Sequence, residues 1–219
     1  MSDKQNAAAP QKKGMNLPNK LTVMRVCMVP LFVIVMMLPD AWVGHIITGI
    51  IGAFLFIAAS VTDMLDGKIA RKYNLVTDFG KLMDPLADKF MVIGALTVIL
   101  YRYGGVSPAL HVFFTVALLI VVFRELAVTS LRLVASKSGV VVPANMLGKI
   151  KTVTQIVFIS ATIIEPMLYE IPFLHDLLPA WWTTNVPLTW VTGVVALFFT
   201  VWSGANYFRV MWKYMDPQK

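Results

Sequence analysis

Six stretches of this chain, at 21–38, 42–62, 84–101, 109–133, 150–168 and 187–208, are almost continuously apolar. A helix needs about 20 such residues to cross roughly 30 Å of bilayer hydrocarbon, so the pattern predicts six transmembrane helices. The second and sixth stretches are nearly free of charge. The first carries Arg25 and Pro30, which predicts a start at the membrane interface and a bend at the proline. The fourth runs from Ala109 to Phe123 without a charge and then meets Arg124, Glu125 and Arg132. Charged side chains inside a span face protein or water, so its second half turns away from lipid. Gly104, Gly105 and Pro108 mark a turn between the third and fourth spans. The expected fold is an all-α integral membrane protein.

Composition supports that assignment. Of the 219 residues, 58% are hydrophobic and only 14% charged, against about 45–50% and 25% in soluble domains. The same figures exclude a disordered chain, and the single cysteine, Cys27, excludes a disulfide framework. A formal charge of +7 points, in so apolar a chain, to an anionic lipid surface rather than nucleic acid. With six spans, 18 of the 19 Lys and Arg fall on the side of the two termini and only Arg102 on the other, where Asp40, Glu165, Glu170 and Asp176 lie instead. Basic residues accumulate on the cytoplasmic side, so both termini are expected there. Residues 1–14 read as a flexible cytoplasmic tail and 15–219 as the membrane domain.

The chemistry concentrates between residues 60 and 90, where five aspartates lie within 26 residues. Asp63 and Asp66 share a helix face, continued by Gly67 and Ala70. Gly80, Asp84 and Asp88 repeat the arrangement at steps of four, while Asp78 with Thr77 reads as a helix start. Pro85 either bends its helix or marks the first turn. Four carboxylates near one interface repel each other unless a cation offsets them. Lys or Arg partners, protons and a divalent metal all qualify. The set contains neither His nor Cys, so a metal here would be one that prefers hard oxygen ligands, Mg²⁺ or Mn²⁺. Two such ions form a clamp suited to displacement at phosphorus.

The string Asp63-x2-Asp66-Gly67-x2-Ala70-Arg71-x8-Gly80-x3-Asp84-x3-Asp88 resembles the signature of the CDP-alcohol phosphotransferases at every position. Asn16 to Thr22 with Arg25 and Pro30, Arg124-Glu125-x6-Arg132, and Leu147 to Thr152 are similar to segments of the bacterial branch that makes phosphatidylglycerophosphate. The resemblance covers about residues 15–210. It implies six transmembrane helices, a homodimer and a polar cavity open to the cytoplasm, in a bacterial inner membrane. It also implies transfer of a phosphatidyl group from CDP-diacylglycerol to sn-glycerol 3-phosphate. Carried over by position, Asp63, Asp66, Asp84 and Asp88 bind two metal ions. Asp88, the last carboxylate along its helix, is the expected general base. Asn19, Thr22, Gly67, Ala70, Arg71, Thr77 and Gly80 are expected to hold the CDP end of the donor.

A second constellation is basic. Arg124, Arg132 and Lys149 are expected to bind the phosphate of the acceptor, since Arg suits bidentate oxyanion contacts. Lys151 is left as a surface or secondary group, and Glu125 is expected on a different face from Arg124. His45, His111 and His175 are scattered and read as structural. Gly94, Gly193 and Gly204 are expected to allow close helix contacts. An intramembrane prenyltransferase would carry two separated Asp-rich motifs, and the chain has one cluster. A cation-coupled transporter would place acids near the midplane of both halves. Within the family, other acceptors such as inositol phosphate remain the alternative.

Overall fold

The computed structural model describes residues 17–73, 78–137 and 146–212, with the backbone alone at 17–18, 66–72, 78–79, 81 and 137. The described residues are entirely helical. Six long helices are α1 (Leu17–Met37), α3 (His45–Lys72), α4 (Asp78–Tyr103), α5 (Pro108–Lys137), α6 (Met146–Tyr169) and α9 (Pro187–Trp212). Three short ones that hydropathy did not announce, α2 (Asp40–Val43), α7 (Pro172–Leu177) and α8 (Ala180–Asn185), fill the connections at one end. The expected tail at 1–14 and Thr77 lie outside the described residues.

Five helices are long and apolar enough to cross a membrane, namely α1, α3, α5, α6 and α9, so the chain is a multi-pass membrane protein. The sixth expected span, α4, is continuous over 26 residues but more polar, because Asp84, Asp88, Lys89 and Arg102 lie along it. Spans also begin and end differently from the apolar runs. Helix α3 continues past residue 62 to Lys72 and carries the first aspartates with it. Pro30 and Pro85 both sit inside continuous helices. Pro85 therefore lies in the second turn of α4 rather than its first.

Helix α1 packs on α3 and α4, α6 on α3 and α9, and α5 on α4 and α9. Phe32, Phe56, Phe114, Phe158, Ile99 and Ile163 form a continuous core between them. Outward positions such as Phe54, Leu119 and Phe198 are exposed, as a lipid-facing surface requires. A Cβ on Gly193 would lie 2.5 Å from Phe113, so that glycine admits a ring between helices. At Gly94 such an atom would make only ordinary contact with Val29.

The end opposite the aspartates is closed by polar contacts. Arg102 donates to Met36 O at 3.1 Å and to the Asp40 carboxylate, capping the C-terminus of α1. His45 pairs with Glu170 at 2.5 Å, a structural role as expected. Glu165, inside the fifth apolar stretch, is buried within α6, where it accepts from the amides of Leu188 and Thr189 at 2.9 and 2.7 Å. It therefore caps the first turn of α9.

Candidate functional site

The aspartate helices meet at the other end of the bundle. Asp63 lies in the C-terminal third of α3, and Asp84 and Asp88 lie one turn apart near the start of α4. Both helices pack against α1, which supplies the groups that meet them. Thr22 Oγ1 donates to Asp84 Oδ1 at 2.7 Å. Arg25 donates to Asp63 Oδ1. Arg25 is fully buried between helices. A guanidinium is retained inside an apolar bundle only when a carboxylate and hydrogen bonds offset its desolvation, and Asp63 supplies both.

Asn19 is half-buried one turn before Thr22 on α1, and Gly80 is buried one turn before Asp84. Asp66, Gly67, Ala70 and Arg71 continue α3 beyond Asp63, but their side chains are outside the described residues. Among the described residues no three His, Cys, Asp or Glu converge closely enough to hold an ion, and Asp66 does not enter that test. The described donors are carboxylate and hydroxyl oxygens on adjacent helices, a chemistry that fits Mg²⁺ or Mn²⁺.

The basic residues lie on α5 and α6, with α9 packed against both. Glu125 is their centre, although the sequence placed it on a different face from Arg124. Residues i and i+1 do point about 100° apart on a helix, yet these two side chains are long enough to close the gap. Arg124 Nη1 donates to Glu125 Oε1 at 3.0 Å, and Lys151 Nζ donates to the same oxygen at 2.6 Å. Lys151 is 4% exposed, which corrects its expected place at the surface. Lys149, by contrast, is exposed in the first turn of α6.

Helix α9 contributes residues that the sequence reading missed. Ser203 accepts from Arg124 Nη2 at 3.1 Å. Tyr207 Oη accepts from Arg132 at 2.5 and 3.1 Å, and the guanidinium also lies 5.0 Å from the Tyr207 ring centroid. Between them, Gly204 leaves room for the stem of Arg124, which would lie 3.2 Å from an added Cβ. A Ser-Gly-x2-Tyr run in a charge-free apolar stretch was the available signal, and hydropathy alone passes over it. Arg124 Nε is buried with no hydrogen-bond partner among the described residues. An Arg edge left in that state favours an oxyanion partner.

Asp88 is half-buried on α4, where the charges of Asp63, Lys151, Glu125 and Arg25 all act on it.

The sequence profile of the CDP-alcohol phosphatidyltransferases matches residues 15–202. A CDP-diacylglycerol–glycerol-3-phosphate 3-phosphatidyltransferase of Bacillus subtilis (strain 168) is 43% identical over 206 residues, covering 90% of this chain and 96% of its own length. A protein of the same name from Rickettsia felis is 34% identical over 199 residues, covering 91% and 97%. A CMP-forming cardiolipin synthase of Oryza sativa subsp. japonica is 32% identical over 213 residues, 93% of this chain and 60% of its own length.

Proposed function

Because the chain belongs to the CDP-alcohol phosphatidyltransferase family, we propose that it transfers the phosphatidyl group of CDP-diacylglycerol to sn-glycerol 3-phosphate, giving phosphatidylglycerophosphate and CMP. Relatives 43% and 34% identical over nine-tenths of the chain carry the name of that activity. One observation supports the reading at the level of the site: Asp63, Asp84 and Asp88 lie on two helices, α3 and α4, met by Thr22 and Arg25 of α1, while α5 and α6 bring Arg124 and Lys151 together on Glu125. The first group suits a diphosphate and the second a phosphorylated alcohol.

In this reading Asp88 takes the proton of the acceptor hydroxyl. The freed oxygen forms its bond to the phosphatidyl phosphorus as the bond from that phosphorus to CMP breaks. Asp63, Asp66, Asp84 and Asp88 would hold two divalent ions, which when bound draw charge from the diphosphate oxygens. Arg25 and Thr22 of α1 donate to Asp63 and Asp84 and so fix these two carboxylates. Asn19, Thr22, Gly67, Ala70, Arg71, Thr77 and Gly80 are assigned to the CDP moiety, with Arg71 offsetting negative charge on the reacting phosphate. Arg124, Arg132 and Lys149 are assigned to the acceptor phosphate. The buried Nε of Arg124, without a hydrogen-bond partner among the described residues, supports that assignment, since an oxyanion would satisfy it.

The proposal includes α4 as a sixth span, both termini and the site on the cytoplasmic side of a bacterial inner membrane, and a homodimer. The excess of Lys and Arg at the end of the bundle holding the aspartates supports the orientation.

The test is purified protein with Mg²⁺ or Mn²⁺, labelled CDP-diacylglycerol and each candidate acceptor supplied in turn. CMP release that requires sn-glycerol 3-phosphate is the expected result, and release with inositol phosphate or phosphatidylglycerol instead would overturn the acceptor. Arg132→Ala should raise KM for sn-glycerol 3-phosphate by about 10- to 100-fold, the worth of a charged hydrogen bond. KM for CDP-diacylglycerol should stay close to wild type. Equal effects on both substrates would remove the separate acceptor pocket. Tyr207→Phe should shift the acceptor KM in the same direction by less, because the ring contact with Arg132 survives.

A further inference from the structure

Three residues outside the aspartate motif meet the side chain of Arg124. Gly204 of α9 passes its stem, where an added Cβ would lie 3.2 Å from Arg124 Cγ. Glu125 Oε1 accepts from Nη1 at 3.0 Å, and Ser203 Oγ accepts from Nη2 at 3.1 Å. Both acceptors are themselves fixed. Ser203 is buried and donates its one proton to Thr200 O at 3.0 Å, which leaves its lone pairs for the guanidinium. Glu125 is held by Lys151 Nζ of α6 at 2.6 Å on the same oxygen that takes Arg124. Both terminal nitrogens of Arg124 are therefore engaged, and Nε is buried with no hydrogen-bond partner among the described residues.

A carboxylate among basic side chains does not attract a phosphate, because like charges repel. Holding a guanidinium in place is a service that it can render. A free Arg side chain has many rotamers, and gripping an anion freezes them. One already held by the fold binds without that loss. We propose that Glu125, Ser203 and Gly204 are positioning residues that pre-set the Arg124 guanidinium and leave its Nε for the phosphate of the acceptor alcohol. The proposal rests on the assignment of Arg124 to that phosphate. The contacts run between α5, α6 and α9, so their loss is read in the acceptor and not in the liponucleotide.

Ser203→Ala removes one acceptor and no charge. KM for sn-glycerol 3-phosphate should rise by about three- to tenfold, the cost of freezing one long side chain on binding, and by more than kcat changes. KM for CDP-diacylglycerol should stay close to wild type. Gly204→Ala crowds the stem and should act in the same direction. In an Arg124→Met background no guanidinium remains to be positioned, and Ser203→Ala should then cost nothing further, in the way coupled neighbours depart from additivity. Glu125 is tested with its charge partner removed as well. Glu125→Gln/Lys151→Met keeps an oxygen for Arg124 Nη1, so its acceptor KM should lie below that of Glu125→Ala/Lys151→Met, which does not.

The experiment is a double-mutant cycle on wild type, Ser203→Ala, Arg124→Met and the pair in detergent. Rates and both KM values are taken on the monodisperse fraction, with thermal unfolding recorded for each. A fall in acceptor kcat/KM in Ser203→Ala that is absent in the Arg124→Met background supports the proposal. Equal proportional losses in both backgrounds overturn it, as does a loss that follows the unfolding temperature or falls equally on both substrates. Equal acceptor KM values in the two Glu125 variants overturn the part given to that residue. Arg124→Met with an unchanged acceptor KM overturns the assignment of Arg124 and this proposal together. An effect of Arg124→Met with none from Ser203→Ala overturns this proposal alone.

Discussion

Asp88→Asn is expected to lower turnover by about a hundred- to ten-thousandfold, the usual contribution of a positioned general base, while the protein still binds CDP-diacylglycerol. Asparagine keeps the shape of the side chain and one oxygen but cannot take the proton of the attacking hydroxyl. Asp88 is half-buried one turn beyond Asp84 on α4, the position proposed above for the base. Asp84, held by Thr22 at 2.7 Å, lies toward α1 instead. Asp84→Asn should therefore weaken donor binding and metal response together, whereas Asp88→Asn separates binding from chemistry. The measurement is single-turnover CMP release set beside equilibrium binding of the liponucleotide. Substantial residual turnover in Asp88→Asn would remove it as the base.

The second large effect lies at the other end of the bundle and concerns stability. Glu165 is 1% exposed. Its carboxylate accepts from the Leu188 and Thr189 amides, from Thr189 Oγ1 at 2.7 Å and from Tyr169 Oη at 2.5 Å. Glu165→Leu keeps roughly the volume and strands these donors in an apolar interior. The two hydroxyls can rotate to other acceptors, but the two amides of the α9 first turn have no other freedom. At about 1–3 kcal/mol for each orphaned buried group, a loss of roughly 2–5 kcal/mol is expected. Thermal unfolding in detergent should move down by about 5–20 °C, and Glu165→Gln, which retains one acceptor oxygen, should fall between. Turnover of the folded fraction should stay near wild type, since the aspartates lie at the other end of the bundle. An unchanged unfolding temperature would sink the capping role.

These two carboxylates explain why acidic residues in so apolar a chain cannot be read by position alone. Glu165, Glu125 and Asp63 are all flanked by apolar helix, yet one caps a helix, one joins three helices through two cations, and one takes a buried Arg. What separates them is the partner that the fold brings: two amides of α9, the pair of Arg124 and Lys151, or Arg25 of α1. The exposed charges follow the opposite rule. Lys149, two residues before Lys151 in the same motif, is exposed, because two residues along a helix turn the side chain by about 200°.

The sequence by itself determined the class of protein, the long helices and the chemistry of the aspartates. Those properties are local: an apolar run of membrane length forms a helix wherever it lies, and Asp63 and Asp66, or Asp84 and Asp88, share a face by spacing alone. It also marked Arg124 and Arg132 as charges that need a partner. The tertiary structure decided everything that depends on which helix lies beside which. It brought Thr22 and Arg25 of α1 to the aspartates and buried Lys151 on Glu125. It used Ser203 and Tyr207 of α9 to hold the two arginines, and it turned Glu165 into a cap. No periodicity encodes these pairings, since each joins residues between 23 and 79 positions apart. The cause is physical: in a bundle whose helices are all apolar, hydrophobicity drives insertion, but the few buried polar groups must find one another, and only the packing says where.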